Sequence, residues 1–280
     1  MTQKNAWNKY KKDEIKALES LCKDYRDFLD NGKTERECVK EIVKQAEDKG
    51  FRDIRKIIKN KEKIETGDKV YAVWMNKTVA MFTIGKKKLE KGMNILGAHI
   101  DSPRMDVKQN PLYEKGGFAY LDTHYYGGIK KYQWVTLPLA IHGVIAKTDG
   151  EVVNVNIGED KNDPVFCVTD LLIHLSQEQL KKRADSVIEG EQLDILFASR
   201  PLAGKEKEAV KEAALELLEK KYGVKEEDFI SAELEIVPAG KARNCGIDES
   251  MIMAYGQDDR VCAFTSLAAM LEVESPDRTT

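Results

Sequence analysis

Met93-Asn94-Ile95-Leu96 is a short apolar run that breaks at Gly97-Ala98 and delivers His99-Ile100-Asp101 before Ser102-Pro103 turns the chain away. Asn94 to Ala98, bounded by glycine and proline, reads as a buried core strand, and it sets the class of fold the rest of the chain must complete. If strand geometry continues through Ile100, alternation puts His99 and Asp101 on the same face. An imidazole and a carboxylate so placed at a sheet's edge suit a metal ligand and its orienting partner, because a ligating histidine needs an acceptor for its other ring nitrogen. On its own the tripeptide also fits ordinary turn chemistry, with Asp101 and Ser102 capping backbone amides.

The flanking sequence supplies helices and further strands. Apolar positions from Trp7 to Leu29 recur at helical spacing, and Asp30-Asn31-Gly32 ends that helix with Gly32 as a left-handed cap. Thr34-Glu35-Arg36-Glu37 is a capping box for a second helix that runs to Lys49-Gly50. Residues 69–75 and 78–85 alternate around an Asn76-Lys77 turn as a hairpin. After Pro103 the chain becomes aromatic and glycine-rich around Tyr125-Tyr126-Gly127-Gly128, and strands follow at 139–146 and 152–157 about the Thr148-Asp149-Gly150 turn. Residues 164–183 read as a helix or an extended helix entry carrying His174, residues 193–198 as a strand, and 206–222 as an amphipathic helix stopped by Gly223. A strand at 232–237 and an apolar helix at 261–271 close the chain. The expected architecture is α/β: a mixed-sheet domain of residues 1–105 and 232–280, interrupted by a β-rich block at 106–231.

A hydrophobic share of 42% and a charged share of 33% give 280 residues ample material for one large or two modest domains. Forty-five basic against 48 acidic side chains leave a net charge of −3, which speaks against nucleic-acid or anionic-membrane binding. Five scattered cysteines without a C-x-x-C pattern fit free thiols in a reducing cytosol. No run approaches the roughly 20 apolar residues of a membrane span, and the N-terminus has no signal-peptide core, so a cytoplasmic location is expected.

Asp258-Asp259-Arg260 stands just ahead of the last helix. A carboxylate there can bridge two divalent metals, or simply cap the helix. Together with His99 and Asp101 on an α/β scaffold, it suggests a two-metal hydrolase whose ions polarise a carbonyl and generate hydroxide.

At this point the chain resembles the zinc aminopeptidases of the aspartyl aminopeptidase and vacuolar aminopeptidase I group. The resemblance rests on Gly97-Ala98-His99-Ile100-Asp101-Ser102-Pro103, Tyr126-Gly127-Gly128, Pro138-Leu139-Ala140, Gly143-Val144, Leu171-Leu172-Ile173-His174-Leu175 and residues 255–263, in family order. It implies a metallo-exopeptidase domain interrupted by an oligomerisation domain, with two divalent ions, zinc by preference, and metal-bound hydroxide attacking the N-terminal peptide bond of a peptide with a free N-terminus. His99 then corresponds to the ligand of one zinc, Asp101 to its orienting carboxylate, and Asp258 to the bridging carboxylate. Asp259 takes the position where the group has a strained, often cis, peptide. His174 corresponds to a histidine that reaches the neighbouring subunit's active site and contacts substrate, so a dimer is the minimum unit and a dodecamer the expected assembly. In the family a Glu-Glu pair, a further acidic ligand and a distal His follow the last helix, whereas this sequence runs to Thr280 without them. The expectation is therefore the N-terminal part of an aminopeptidase. A non-catalytic assembly subunit and a different two-metal amide hydrolase stay open beside it.

Overall fold

A computed structural model describes residues 5–280. The first helix, α1 (Lys12–Asn31), begins after a 3-10 turn at Ala6–Asn8, later than the apolar spacing suggested. Its last turns bury Tyr25, Phe28 and Leu29. Gly32 ends it at φ −130°, outside the left-handed region expected of it. The glycine is needed instead for close approach, since a Cβ there would stand 2.9 Å from Cys38 Sγ and 3.0 Å from the Phe28 carbonyl oxygen. In α2 (Glu35–Asp48) the expected capping box forms: Glu37 N–H donates to Thr34 Oγ1 at 3.3 Å, and Thr34 N–H donates to Glu37 Oε2 at 3.1 Å. This helix buries Cys38, Val39, Ile42 and Ala46, one inward face at the i, i+4 spacing.

Strand β1 (Arg52–Asp53) leads into α3 (Ile54–Asn60), capped by Asp53, whose Oδ1 accepts from Arg55 N–H at 2.9 Å. The expected hairpin is β2 (Lys69–Trp74) and β3 (Thr78–Thr83), paired from Lys69↔Thr83 to Trp74↔Thr78. Strand β1 adds in parallel to β2, so the three-stranded sheet is mixed.

Residues 94–98 are not a strand. They join no sheet among the described residues, Asn94 N–H donates to the Thr279 carbonyl at 2.9 Å, and the side chains of Ile95 and Leu96 are 80% and 52% exposed. Apolar content made the run look like a core strand, but a strand needs a ladder on at least one edge, which this backbone lacks here.

The chain divides into two compact units: the residues up to Asp101 with Lys241–Thr280, and Ser102–Gly240. The second is a seven-stranded antiparallel sheet of β4 (Arg104–Lys115), β5 (Phe118–Tyr126), β6 (Leu139–Ala146), β7 (Val152–Ile157), β8 (Cys167–Val168), β9 (Ile195–Ala198) and, after helix α4 (Ala209–Tyr222), β10 (Ala232–Pro238). Strand order is β7-β6-β10-β4-β5-β9-β8. Residues 232–240, expected in the first domain, belong here instead, because β10 pairs along its whole length with β6 and bridges to β4. Gly143 makes that pairing possible: at φ +143° a Cβ would sit 1.9 Å from the Glu233 carbonyl oxygen.

The expected helix over 164–183 is also absent. That segment holds β8, turns, and a 3-10 turn at Gln179–Lys181. Leu171-Leu172-Ile173 and Leu175 are contiguous rather than spaced as one stripe, so no helix could turn them all toward a core. Asp170 Oδ1 accepts from Leu171 N–H at 2.8 Å and from Gln179 Nε2 at 2.8 Å, which fixes a turn instead.

Back in the first unit, β11 (Arg243–Cys245) and β12 (Met251–Met253) form a two-stranded hairpin ahead of α5 (Gln257–Leu271). Phe264 and Leu267 of α5 close the core over Tyr25, Phe28, Leu29, Cys38 and Ile42. Residues 276–280 lie along residues 83–87, with Thr83 and Thr280 exchanging main-chain hydrogen bonds of 3.0 and 3.2 Å. No helix among the described residues is long and apolar enough to cross a membrane.

Candidate metal centre

His99 and Asp101 sit on the extended segment that leaves the first unit. Tyr255-Gly256 swings the chain into α5, where Asp258 and Asp259 keep non-helical dihedrals and are joined by a cis peptide. Gln257 fixes this bend from both ends of its amide: Oε1 accepts from Tyr25 Oη at 3.2 Å, and Nε2 donates to the Ile252 carbonyl at 2.8 Å.

The two segments meet at the imidazole. His99 Nδ1 lies 3.1 Å from the Asp101 carbonyl oxygen and 3.3 Å from its Oδ1, while Nε2 lies 3.3 Å from Asp258 Oδ1. With the Nδ1 proton donated to Asp101, the Nε2 lone pair faces a carboxylate oxygen, and two acceptors at that distance need a cation between them. A proton serves. Partial burial of the ring opposes the imidazolium, but the bond to the Asp101 carbonyl and the charges of Asp101, Asp259 and Asp258 outweigh it, holding the His99 pKa above the ordinary histidine value. A zinc ion would serve equally. Zn–N and Zn–O bonds of about 2.0–2.2 Å at a tetrahedral angle put neighbouring donor atoms roughly 3.3–3.5 Å apart. The observed 3.3 Å fits that edge. The Asp258 side chain is 95% exposed.

Three of the four sequence-derived site residues, His99, Asp101 and Asp258, are therefore brought together. His174 lies in the second unit on the turn closed by Leu175 N–H to the Leu172 carbonyl at 2.9 Å. Among the described residues no group of three or more His, Cys, Asp or Glu side chains could hold an ion, so the arrangement supplies two donors and an orienting acceptor. His142 is buried with Nε2 3.1 Å from Glu159 Oε1. Arg260, quoted in the motif but given no role, is fully buried beneath the site and donates to the Ile100 carbonyl.

Comparison with known proteins assigns the chain to a family. The model of the family "Aminopeptidase I zinc metalloprotease (M18)" matches residues 28–279. A probable M18 family aminopeptidase 1 from Clostridium acetobutylicum is 59% identical over 277 residues, covering 99% of this chain and 60% of the relative. The crystal structure of an M18 aminopeptidase from Thermotoga maritima superposes with a TM-score of 0.92 at 44% identity, covering all of this chain and 60% of that one. The S. cerevisiae mApe1 dodecamer shares the fold at 19% identity and a TM-score of 0.66, covering 94% of this chain and 59% of that one. The chain thus spans about 60% of the length of the relatives it matches. With the match running through nearly the whole sequence, this chain belongs to the M18 family of aminopeptidase I zinc metalloproteases.

Proposed function

We propose that this chain carries the N-terminal share of a two-metal aminopeptidase site, in which His99 Nε2 and Asp258 Oδ1 hold divalent ions and Asp101 orients His99. The single observation carrying this is the 3.3 Å approach of the His99 imidazole nitrogen and the Asp258 carboxylate oxygen, two donor types that zinc takes. Zinc, when bound, would supply Lewis acidity and activate water for hydrolysis of the N-terminal peptide bond. Asp101 keeps the Nδ1 proton in place, which leaves Nε2 free to act as a donor. Asp258, whose Oδ1 lies 3.3 Å from His99 Nε2, would be the carboxylate that holds an ion beside His99. The substrates are peptides with a free N-terminus.

The assembly we infer is a homo-oligomer with a dimer as minimum unit, reaching a dodecamer. In it His174 contacts substrate in the partner's site, and the Ser102–Gly240 unit provides the dimer contact. Support comes from the exposed apolar run Leu171, Leu172, Ile173 and Leu175 around His174, and from the dodecameric state of the S. cerevisiae neighbour. We place the protein in the cytoplasm, where its free cysteines stay reduced.

Turnover of amino-acyl p-nitroanilides by the purified native protein, with and without chelator, tests the reading. Activity lost on chelation, restored by zinc, and absent in His99→Ala is the expected result. No turnover and no bound metal would instead favour a non-catalytic assembly subunit.

A further inference from the structure

Arg260 is only 1% exposed, yet among the described residues no carboxylate bonds to it. Its Nε donates to the Ile100 carbonyl at 3.1 Å, its Nη2 to the Lys33 carbonyl at 2.8 Å, and its Nη1 has no hydrogen-bond partner among the described residues. The guanidinium also lies 5.4 Å from the Tyr255 ring centroid. Burying a cation with an unmade hydrogen bond costs stability and offsets part of what its two carbonyl bonds contribute. Stability alone is therefore a weak reason for a buried arginine here.

What arginine adds is geometry. Ile100 is the residue between His99 and Asp101, so a bond to its carbonyl fixes the peptide planes on which both side chains hang. Arg260 itself follows Asp258-Asp259 directly in the chain. Through its second bond, the loop before α2 ties down the same guanidinium. One planar fork thus spans the two segments that meet at the site, and a lysine ammonium cannot reproduce two donors at fixed angles. We propose that Arg260 is a positioning residue that sets the separation of His99 Nε2 and Asp258 Oδ1, and with it the affinity for the metal. The metal-affinity part rests on the aminopeptidase reading above; the positioning part does not.

The test uses Arg260→Met and Arg260→Lys in the native protein. Crystal structures read the positioning directly. The expected result is that R260M opens the 3.3 Å His99–Asp258 approach while R260K keeps it in part. An unchanged approach in R260M overturns the proposal, whether or not metal binds. Zinc affinity, measured by competition with a chromophoric chelator on folded protein, is expected to fall tenfold to a hundredfold in R260M and to recover partly in R260K. A lower melting temperature with unchanged zinc affinity in both variants would mean a merely structural arginine and would also overturn it. Failure of the wild-type protein to bind zinc would sink the aminopeptidase reading instead, leaving the crystallographic test of positioning intact. If R260M does not fold, R260K alone decides: a wild-type approach together with wild-type zinc affinity overturns the proposal.

Discussion

Phe264 is the residue through which the core of the first unit holds the helix that presents Asp258. Its ring is 4% exposed and lies 5.1 Å from the Tyr25 ring and 5.5 Å from the Phe28 ring, tilted at 36° and 46°. Phe264→Ala removes that ring from between α1 and α5 and leaves a cavity that the two helices cannot fully collapse. Burial and cavity terms for such a change run to about 3–5 kcal/mol, and each aromatic pair adds roughly 0.5–1.5 kcal/mol. Taking the lower end of each range gives a loss of about 4 kcal/mol. Urea unfolding of the native protein, followed by circular dichroism, should show a lower midpoint with an unchanged slope. Phe264→Leu, which keeps most of the volume, should cost less than about 1.5 kcal/mol. If alanine cost no more than leucine, the ring would not be packed between the helices as described, and the reasoning that ties α5 to α1 would be refuted.

Gly143→Ala should destabilise the second unit by about 4 kcal/mol or more, because the new Cβ meets the Glu233 carbonyl oxygen at 1.9 Å and φ is +143°; thermal unfolding reads the loss, and a shift within error would contradict the β6–β10 register. The Arg55 hydrogen bond holds the Asp53 carboxyl below the ordinary carboxylate range. Because the folded pKa is the lower one, the stabilisation is complete above the unfolded carboxylate value of about 3.9 and disappears as pH falls through the folded value. Asp53→Asn should therefore flatten the acid limb of a stability–pH curve, and an unchanged limb would count against the pairing. Burial pushes the Cys38 thiol up to about 11. Iodoacetamide at pH 8 should modify it only on unfolding; reaction in the folded protein as fast as at an exposed cysteine would contradict its burial.

What the sequence made legible was local. Thr34 and Glu37 announce the start of α2 because a capping box is written in four adjacent residues, and the β6–β7 hairpin is written in its alternation and in Asp149-Gly150. His99, Asp101 and Asp258 were legible as site candidates, and the geometry brings them together. The misreadings share a cause: apolar content says that a segment is to be covered, not by what. Residues 94–98 have the composition of a core strand but no ladder, and residues 171–175 have that of a buried helix but lie exposed on a turn. The edge at 232 was misplaced because β10 is an ordinary alternating strand, and only its pairing with β6 assigns it to the second unit. Arg260 escaped notice because its two partners lie 160 and 227 residues away in sequence, and both are carbonyls, which carry no residue signature.

The most direct test of the central claim is the anomalous scattering of zinc in crystals of the native protein. The expected result is a peak about 2.0–2.2 Å from both His99 Nε2 and Asp258 Oδ1, lost in His99→Ala. Zinc bound elsewhere, with none between these two atoms, would contradict the assignment of the site.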